Sequence, residues 1–415
     1  LQAPSPRNRR RGQPLLTTVE RAAVAAEVAR PASVAEAADV VLQAAADDNF
    51  LLFRGAGSKL DWGAPPRAGN LIVDSTGMDR VLAHDAADMT VAVQAGVPLT
   101  RLQECLAPAG QWLALDPPSA IGGATIGGLI AAGDYGPRRL RYGAMRDLVI
   151  GITVVLADGT IAHSGGRVIK NVAGYDLGRL FHGSLGTLGF VAEAVLRLHP
   201  RPAVSRTVRF ALDADAAFRL ATDVCGGASE PTAVEWLDGA LLVRVEGVAG
   251  AADAQADAVI RIGAGHQANG EILDDRVETE IWDIVACHLH GEPGDTIIRA
   301  GTVPSQLPEV NATLSRVAGE LGIEGALCSS VALGVHTARL RGGTALQHAG
   351  CLAELRGALG SPDRGSVTVH RRAEGLAEVA DLWGPPPGSL ALMRSVKQQF
   401  DPDDRCAPGR FSPWF

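Results

Sequence analysis

The apolar residues of the first two hundred positions fall into short runs bounded by turn residues, a pattern that is typical of strands. We predict strands at 50–53, 71–74, 90–94, 148–156 and 191–199. One longer amphipathic stretch runs to Ala46, and Ser33 with Glu36 three residues later predicts its capped start. A second helix is predicted over 97–109. This half of the chain is therefore predicted to mix short strands with few helices.

Strands and helices alternate more regularly in the region 203–385. We predict strands there at 208–212, 233–237, 241–245, 296–300, 329–335 and 366–370. The predicted helices are 215–225, 250–260, 308–321 and 344–359, and a last helix covers 390–400. This pattern predicts an antiparallel sheet covered by helices.

Length and charge narrow the class of protein. A chain of 415 residues exceeds one typical core, so two domains are expected. The net charge of −8 argues against nucleic acid as the main partner. Arg7 and Arg9–Arg11 form a basic tail that we expect to be disordered, and a membrane or partner contact is the alternative.

The six cysteines form no C-x-x-C pair, so their spacing supports neither a zinc site nor an iron–sulfur cluster. Scattered cysteines in a large chain are typical of a reducing compartment. No apolar run approaches the ~18 residues of a membrane span. We therefore expect a cytoplasmic protein with, at most, peripheral contact with the inner face of the cell membrane.

Glycine is concentrated in two places. One is the stretch from Asp116 to Val191, and the other is the loop from Arg54 to Lys59. Glycine-rich loops let the backbone approach a ligand and present bare N–H groups to it, and two such loops indicate a long ligand such as a dinucleotide. The nicotinamide G-x-G-x-x-G fingerprint is excluded in the first loop because Leu60 occupies the third glycine position.

Four segments carry a family resemblance. They are R-G-A-G-S-K-L from Arg54, T-I-G-G-L-I-A-A-G-D-Y-G from Thr125, G-S-L-G-T-L-G-F-V from Gly183, and the C-terminal F-D-P-D with A-P-G-R-F. Together they resemble the FAD-linked oxidase family, with its vanillyl-alcohol-oxidase or PCMH-type fold, over roughly 25–200 and 390–415. Within that family, K-N-V-A-G-Y-D-L-G-R-L with G-S-L-G-T-L-G most resembles the smaller FAD-binding subunit of glycolate oxidase.

The resemblance implies an α+β fold, with a PCMH-type two-subdomain FAD-binding domain and a smaller α+β cap domain built on an antiparallel sheet. The expected division is a disordered basic tail at 1–14, the FAD-binding domain at 15–200 and the cap or substrate domain at 201–385. Residues 386–415 are then expected to return to the FAD-binding domain.

FAD is the cofactor that the resemblance implies, and we assign its binding residues on the two loops and the strand entry. These are Arg54, Gly55, Ala56, Gly57, Ser58, Lys59, Pro117, Ser119, Thr125, Ile126, Gly127, Gly128, Ala131, Gly136, Gly189, Phe190 and Val191. Gly57 and Gly127 are expected to be glycine because the backbone touches the pyrophosphate there.

We expect noncovalent FAD, since the first loop has no histidine and the second no cysteine; Tyr135 is the one candidate for a tether. For Lys170, Asn171, Tyr175 and Asp176 we favour loop-stabilising hydrogen bonds, with direct cofactor contact as the alternative.

Catalysis is where the chain departs from the family. The H-x-G-D-G-N-x-H stretch and the later E-H-G of the metal-using 2-hydroxy-acid dehydrogenases are absent. His288 and His290 would share one face of a strand and could bind a metal, but packing is favoured because no third ligand is evident. We assign no metal and no catalytic residue. Four arginines could each bind a substrate carboxylate, but we favour a surface or interdomain position for each. They are Arg299, Arg339, Arg371 and Arg394.

The sequence therefore predicts an FAD-binding subunit of a glycolate-oxidase-like complex that handles electrons from a small 2-hydroxy acid. The expected partners are a second flavin subunit and a separate iron–sulfur electron-transfer subunit. A stand-alone FAD dehydrogenase and a non-catalytic flavin-fold scaffold are the alternatives.

Overall fold

The structure is a computed structural model that describes residues 27–67, 71–166, 176–359 and 365–415. Its strands are β1 (Glu27–Ala29), β2 (Leu51–Arg54), β3 (Leu71–Asp74), β4 (Val81–Asp85), β5 (Thr90–Gln94), β6 (Gln111–Trp112), β7 (Val149–Val155), β8 (Ile161–Gly165), β9 (Phe190–Arg197), β10 (His199–Pro200), β11 (Val204–Ala211), β12 (Ala233–Leu237), β13 (Ala240–Gly247), β14 (Gly270–Ile272), β15 (Thr296–Thr302), β16 (Glu324–Ser330), β17 (Val335–Arg341) and β18 (Gly365–Arg371). Its α-helices are α1 (Val34–Ala46), α2 (Leu99–Leu106), α3 (Ile126–Ala132), α4 (Arg139–Tyr142), α5 (Met145–Leu148), α6 (Leu177–Phe181), α7 (Ala214–Gly226), α8 (Ala249–Gly265), α9 (Asp275–His290), α10 (Leu307–Leu321), α11 (Ala345–Leu359), α12 (Leu376–Val379) and α13 (Leu390–Phe400).

Helix α1 begins where the sequence predicts. The Ser33 hydroxyl accepts a hydrogen bond from the Glu36 N–H at 3.2 Å. The Glu36 carboxylate accepts from the Ala32 N–H at 2.9 Å, one residue before the cap. These bonds satisfy N–H groups that a helix start leaves unpaired, and the capped helix then buries Ala37, Val41 and Ala44.

Two sheets form the part of the chain that carries the glycine loops. Strands β1, β3 and β2 make a parallel three-stranded sheet in that order. Strands β4, β5, β9, β7 and β8 make an antiparallel five-stranded sheet in that order. A shared core joins them, because Val41 and Val73 pack in one cluster with Val155 and Phe190.

An eight-stranded antiparallel sheet dominates the remainder, in the order β14-β11-β13-β12-β16-β17-β15-β18. Helices α7, α8, α10 and α11 cover its apolar face, as predicted, and contribute to the largest hydrophobic cluster. Helix α9 packs on the opposite face through Trp282 and Val285. Glu235, Arg244 and Arg299 also lie on that opposite face, because the residues before and after each of them along the strand belong to the core. The α+β class with an antiparallel cap sheet is confirmed.

Two predictions for this region are wrong. The predicted strand 329–335 is the end of β16, a 3-10 turn at Val331–Leu333 and the start of β17. Gly334, with φ of 61°, reverses the chain there, so a continuous apolar run hides a turn. His288 and His290 lie on helix α9 rather than on a strand, so they do not share a face as a strand would require.

The C-terminal segment contacts the glycine-loop half of the chain. Leu51 of β2 donates to the Arg405 carbonyl and accepts from the Ala407 N–H, both at 2.8 Å. Val396 and Phe400 of α13 pack against the core of the five-stranded sheet. We propose that the FAD-binding domain ends at residue 200, that the cap domain ends at residue 385, and that residues 386–415 return to the FAD-binding domain. Among the described helices, none is both long and apolar enough to cross a membrane.

Candidate cofactor site at the two glycine loops

A cleft lies where the end of β2, the start of α3 and the entry to β9 converge. Of the predicted cofactor residues, its lining includes Arg54, Gly55, Ala56, Gly57, Ser58, Lys59, Thr125, Gly127, Gly128, Ala131, Gly189, Phe190 and Val191. It also includes residues that the sequence did not single out for this role: Leu52, Phe53, Leu60, Ser75, Ala132, Leu185, Gly186 and Arg410. The cleft therefore brings together three sequence segments that are far apart along the chain.

The two glycine loops touch each other at Gly55 and Thr125. A Cβ placed on Gly55 would lie 2.2 Å from the Thr125 hydroxyl oxygen, so no other residue fits there without movement. The loops meet again at Gly122, whose Cβ would lie 3.4 Å from that of Ser58. Glycine at position 55 thus allows the two loops to pack against each other, a contact that the sequence alone does not reveal.

The first loop supplies the free donors of the cleft. Gly57 has a φ of 78°, a conformation that glycine adopts without strain. Within the described residues, the N–H groups of Gly57, Ser58 and Lys59 have no hydrogen-bond acceptor. Successive unpaired N–H groups form a concavity that suits phosphate oxygens.

The second loop is different because its first N–H groups are already used. Ile126 donates to the Val97 carbonyl, Gly127 to the Ala95 carbonyl at 2.8 Å, and Gly128 to the Thr125 hydroxyl at 3.3 Å. A Cβ on Gly127 would lie 2.6 Å from that of Ala95. Strand-to-helix packing is therefore a reason for glycine at position 127 that is independent of any cofactor, and contact of Gly127 with the pyrophosphate stays a prediction.

Four predicted residues lie outside the cleft lining. Pro117 lines a second cavity of about 640 Å³ between this half of the chain and the cap sheet. Ser119 donates to Asp134, Ile126 is fully buried in the core, and a Cβ on Gly136 would meet the Asp116 carbonyl oxygen at 1.9 Å. Their contact with a cofactor stays a prediction.

The K-N-V-A-G-Y-D segment is described only at its end. Lys170, Asn171 and Tyr175 lie outside the described residues. The Asp176 carboxylate accepts from the Arg179 N–H at 3.1 Å and caps helix α6. At this one position, a loop-stabilising hydrogen bond is present.

Arg410, in the C-terminal A-P-G-R-F motif, holds the first loop in place. Its buried guanidinium donates to the carbonyls of Lys59, Leu60 and Ala64. Burial and the charge of nearby Arg372 lower the pKa of Arg410 to about 9. The sequence marked this motif by resemblance but gave Arg410 no role.

Lys59 borders the cleft, and its ammonium points to a buried acid. Its Nζ lies 2.9 Å from Asp134 and 3.9 Å from the centre of the Trp62 ring. Asp134 also accepts from the Ser119 hydroxyl at 2.5 Å. Burial lowers the pKa of Lys59 to about 8 although Asp134 opposes that shift. Burial acts to raise the pKa of Asp134, but the charges of Lys59 and Arg299 and the Ser119 bond hold it below its ordinary value.

Arg299 reaches the same region from strand β15 of the cap sheet. It is 8% exposed, and within the described residues its Nε and Nη1 have no hydrogen-bond partner. His370 of β18 packs on Trp62 with ring centres 4.2 Å apart, and its Nδ1 is also unpaired there. Burial and the charges of Arg299 and Lys59 hold the pKa of His370 well below its ordinary value, so this ring is neutral. Sequence analysis favoured a surface or interdomain place for Arg299, and the structure buries it against Tyr135 of the second glycine loop.

These side chains leave an excess of positive charge. We define the inner cation cluster as Lys59, Arg299, Arg371, Arg372 and Arg410 with the acids Asp61 and Asp134. Its ion pairs join Lys59 to Asp134 at 2.9 Å and Arg371 to Asp61 at 3.0 Å. Five cations against two carboxylates leave three unbalanced positive charges in a poorly hydrated place, and such a place favours anionic ligands.

Other histidines and arginines that the sequence analysis considered have contacts within the fold. The His288 ring bonds the Thr337 carbonyl at 3.0 Å, and His336 lies between the hydroxyls of Ser329 and Thr302. Arg371 donates to the His290 carbonyl at 2.9 Å, and Arg394 donates to the Trp414 carbonyl. Arg339 lies 3.9 Å from Glu324. Within the described residues, no three histidine, cysteine or acidic side chains are placed to hold a metal ion.

Comparison with known proteins agrees with this geometry. Residues 25–165 match the model of a family described as an FAD binding domain. The glycolate oxidase subunit GlcD of Bacillus subtilis (strain 168) is 39% identical over 194 residues, which cover 46% of this chain and 41% of the relative. The glycolate oxidase subunit GlcE of Escherichia coli (strain K12) is 34% identical over 217 residues, 52% of this chain and 61% of that relative. The chain thus spans about two to three fifths of these relatives.

A solved structure has the same fold over a longer span. Alkyldihydroxyacetonephosphate synthase superposes with a TM-score of 0.70 at 18% identity, covering 92% of this chain and 76% of the other. The fit of the free N–H groups to a pyrophosphate, the family model and the relatives all indicate FAD as the cofactor. Residues 25–165 therefore form an FAD-binding domain, and over this part the chain is similar to glycolate oxidase subunits.

Proposed function

We propose that the chain is the FAD-binding subunit of a glycolate-oxidase-like 2-hydroxy-acid dehydrogenase complex. The observation that carries this proposal is the inner cation cluster, which shares Lys59 and Arg410 with the cleft lining and in which Arg299 brings a buried, unpaired guanidinium over the Tyr135 ring. A planar guanidinium binds a carboxylate through two parallel hydrogen bonds. The names of GlcD and GlcE support a subunit of an assembly that acts on glycolate, a 2-hydroxy acid.

Charge balance supports two anions in this region. The first loop and Arg410 would hold the FAD pyrophosphate, which carries two negative charges, by N–H donation and by charge. A substrate carboxylate would add a third negative charge, and these three negative charges would balance the three unpaired positive charges of the inner cation cluster. The chemistry that FAD would supply when bound is acceptance of the two electrons of the oxidation. The chain's own part is to hold the acid, exclude water and keep Lys59, Asp134 and neutral His370 close to it.

We propose noncovalent FAD, because no histidine or cysteine lines the cleft among the described residues. The expected partners are a second flavin subunit and an iron–sulfur subunit that carries electrons onward. The six cysteines are free thiols, which supports a reducing compartment such as the cytoplasm.

A stand-alone dehydrogenase is the second candidate, and Arg299 favours it as well, because the chain itself supplies this carboxylate-binding guanidinium. Anaerobic stopped-flow reduction of the flavin by glycolate and by D-lactate separates the two. Slow reduction of the isolated chain that becomes fast when a partner flavin subunit is added supports the subunit role. Fast reduction of the isolated chain establishes the stand-alone enzyme. No reduction in either case contradicts the substrate class and supports a scaffold.

A further inference from the structure

Lysine is scarce in this chain. Of its 38 basic residues, three are lysines: Lys59, Lys170 and Lys397. Arginine replaces lysine as a surface charge with little consequence, but it cannot become a neutral amine near neutral pH. The environment of each lysine therefore shows whether its amine has a structural role or is available for chemistry.

Lys397 shows what a structural lysine looks like in this fold. Its Nζ donates to the Thr187 carbonyl at 3.0 Å, the Cys406 carbonyl at 3.1 Å and the Asp401 carboxylate at 2.5 Å. Three acceptors use all three ammonium hydrogens, so this group ties α13 to the core. Lys170 lies outside the described residues.

Lys59 has a different environment. Its side chain is 14% exposed, and Lys59 borders the cleft. Within the described residues its ammonium has one hydrogen-bond acceptor, Asp134, and rests against the Trp62 ring. Burial lowers the pKa of this amine to about 8, with a contribution from Arg299, so about a tenth of it is neutral near pH 7. A neutral, accessible amine is a nucleophile for carbonyl carbons.

The neighbours of Lys59 select the carbonyl compound. The buried guanidinium of Arg299, whose Nε and Nη1 have no partner among the described residues, suits an anionic group such as a carboxylate, and the excess positive charge of the inner cation cluster also favours an anion. Asp134, held as a carboxylate, stands 2.9 Å from the amine and is placed to move a proton. An amine, a proton carrier and a carboxylate anchor together match a carbonyl compound with an adjacent carboxylate.

We propose that Lys59 forms a reversible imine with a small 2-oxo acid whose carboxylate is held by Arg299. The neutral amine attacks the carbonyl carbon, and a proton passes from nitrogen to the carbonyl oxygen through Asp134. The resulting carbinolamine loses one water, so the C–O bond breaks as the C=N bond forms, with no change of oxidation state. The site rests on the proposed function only for the origin of the 2-oxo acid, which is the oxidation product of a 2-hydroxy acid.

The test is chemical trapping on the full chain with its bound flavin. The protein is incubated with glyoxylate or with pyruvate, near pH 7 and near pH 8.5, and the imine is reduced with cyanoborohydride before peptide mass spectrometry. We expect a carboxymethyl or a carboxyethyl group on Lys59, in larger amount at the higher pH because more amine is neutral. Lys397 provides the internal control and should carry none.

Acetaldehyde tests the carboxylate requirement, since it has a reactive carbonyl and no anion. It should label Lys59 at least tenfold less than glyoxylate does at equal concentration, and Arg299→Met should lower the glyoxylate label towards that level. Lys59→Arg retains the charge beside Asp134 and should abolish the label, while circular dichroism and flavin content report whether the variant is folded.

The proposal is overturned if folded, flavin-containing protein carries no adduct on Lys59, or if Lys59 and Lys397 are labelled equally. Equal labelling by acetaldehyde overturns the role of Arg299. Because the 2-oxo acid is added directly, labelling of Lys59 in a chain that no 2-hydroxy acid reduces, either alone or with a partner flavin subunit, supports the imine site and contradicts the proposed function instead.

Discussion

The guanidinium of Arg299 lies 4.6 Å from the centre of the Tyr135 ring, and so joins the cap sheet to the second glycine loop. Arg139 lies 4.0 Å from the same ring centre. A tyrosine between two cations is a favourable cation–π arrangement in a poorly hydrated place. This contact places the guanidinium of Arg299, which could bind a carboxylate, beside the loop that borders the cofactor cleft.

Replacing Arg299 with methionine should weaken binding of the acid. Loss of charge-assisted hydrogen bonds of about 1.5–3 kcal/mol predicts a KM for the 2-hydroxy acid that is roughly 10- to 100-fold higher. Steady-state kinetics of the complete assembly measures this effect. Arg209→Met is the matched control, because Arg209 is an exposed arginine of the same sheet, paired with Glu271. An unchanged KM in Arg299→Met would remove Arg299 from the substrate site.

Gly57→Ala should lower the flavin content of the purified chain. The alanine strains a φ of 78° and adds a methyl group beside the free N–H groups of the first loop. Gly110→Ala is the matched control, since Gly110 has a φ of 65°, no neighbour within 4 Å and no place in the cleft lining. Both variants bear a strain of about 1–2 kcal/mol. Flavin absorbance per chain should fall in Gly57→Ala alone, and equal losses would refute the assignment of this loop.

Acid precipitation should release all of the flavin into the supernatant. The expectation follows from a cleft whose described lining contains no histidine or cysteine to form a covalent bond. Absorbance and fluorescence of the supernatant and of the redissolved pellet make the measurement. Fluorescence that stays with the pellet would show a covalent bond, and peptide mapping would then examine Tyr135 first.

Glu235→Gln should reduce the pH dependence of stability. Burial raises the pKa of Glu235 to about 8, although the Ser330 and Cys328 side chains donate to it. The folded state therefore keeps a proton that the unfolded chain releases near pH 4.5. Stability from this group is complete below that pH and is lost as pH rises towards 8, by roughly 5 kcal/mol in total.

Glutamine has no proton to lose, so the variant should lack that decline. Urea unfolding near pH 5 and near pH 8 measures it, and the difference between the two values should be smaller in Glu235→Gln than in the wild type. The control is Glu271→Gln, which alters an exposed glutamate of the same sheet. A wild-type difference that the Glu235 substitution leaves unchanged would contradict the raised pKa.

The sequence by itself determined the local elements and the cofactor loops. Strand β12 and helix α13 have the predicted bounds, because alternation and helical periodicity are local properties. Thirteen of the predicted cofactor residues line one cleft, since glycine density reports backbone conformation directly. The predicted strand 329–335 failed because an apolar run does not reveal the turn at Gly334 within it.

Only the tertiary structure decided which charged residues meet. Arg299, Arg339, Arg371 and Arg394 are alike in sequence, and the register of the cap sheet is what buries Arg299 and leaves its guanidinium unpaired. Lys59 and Asp134 belong to different glycine loops, and their pairing depends on the contact between those loops at Gly55 and Thr125. The tertiary structure also decides the pKa of Lys59. Desolvation by burial lowers this pKa, and desolvation depends on the surrounding fold.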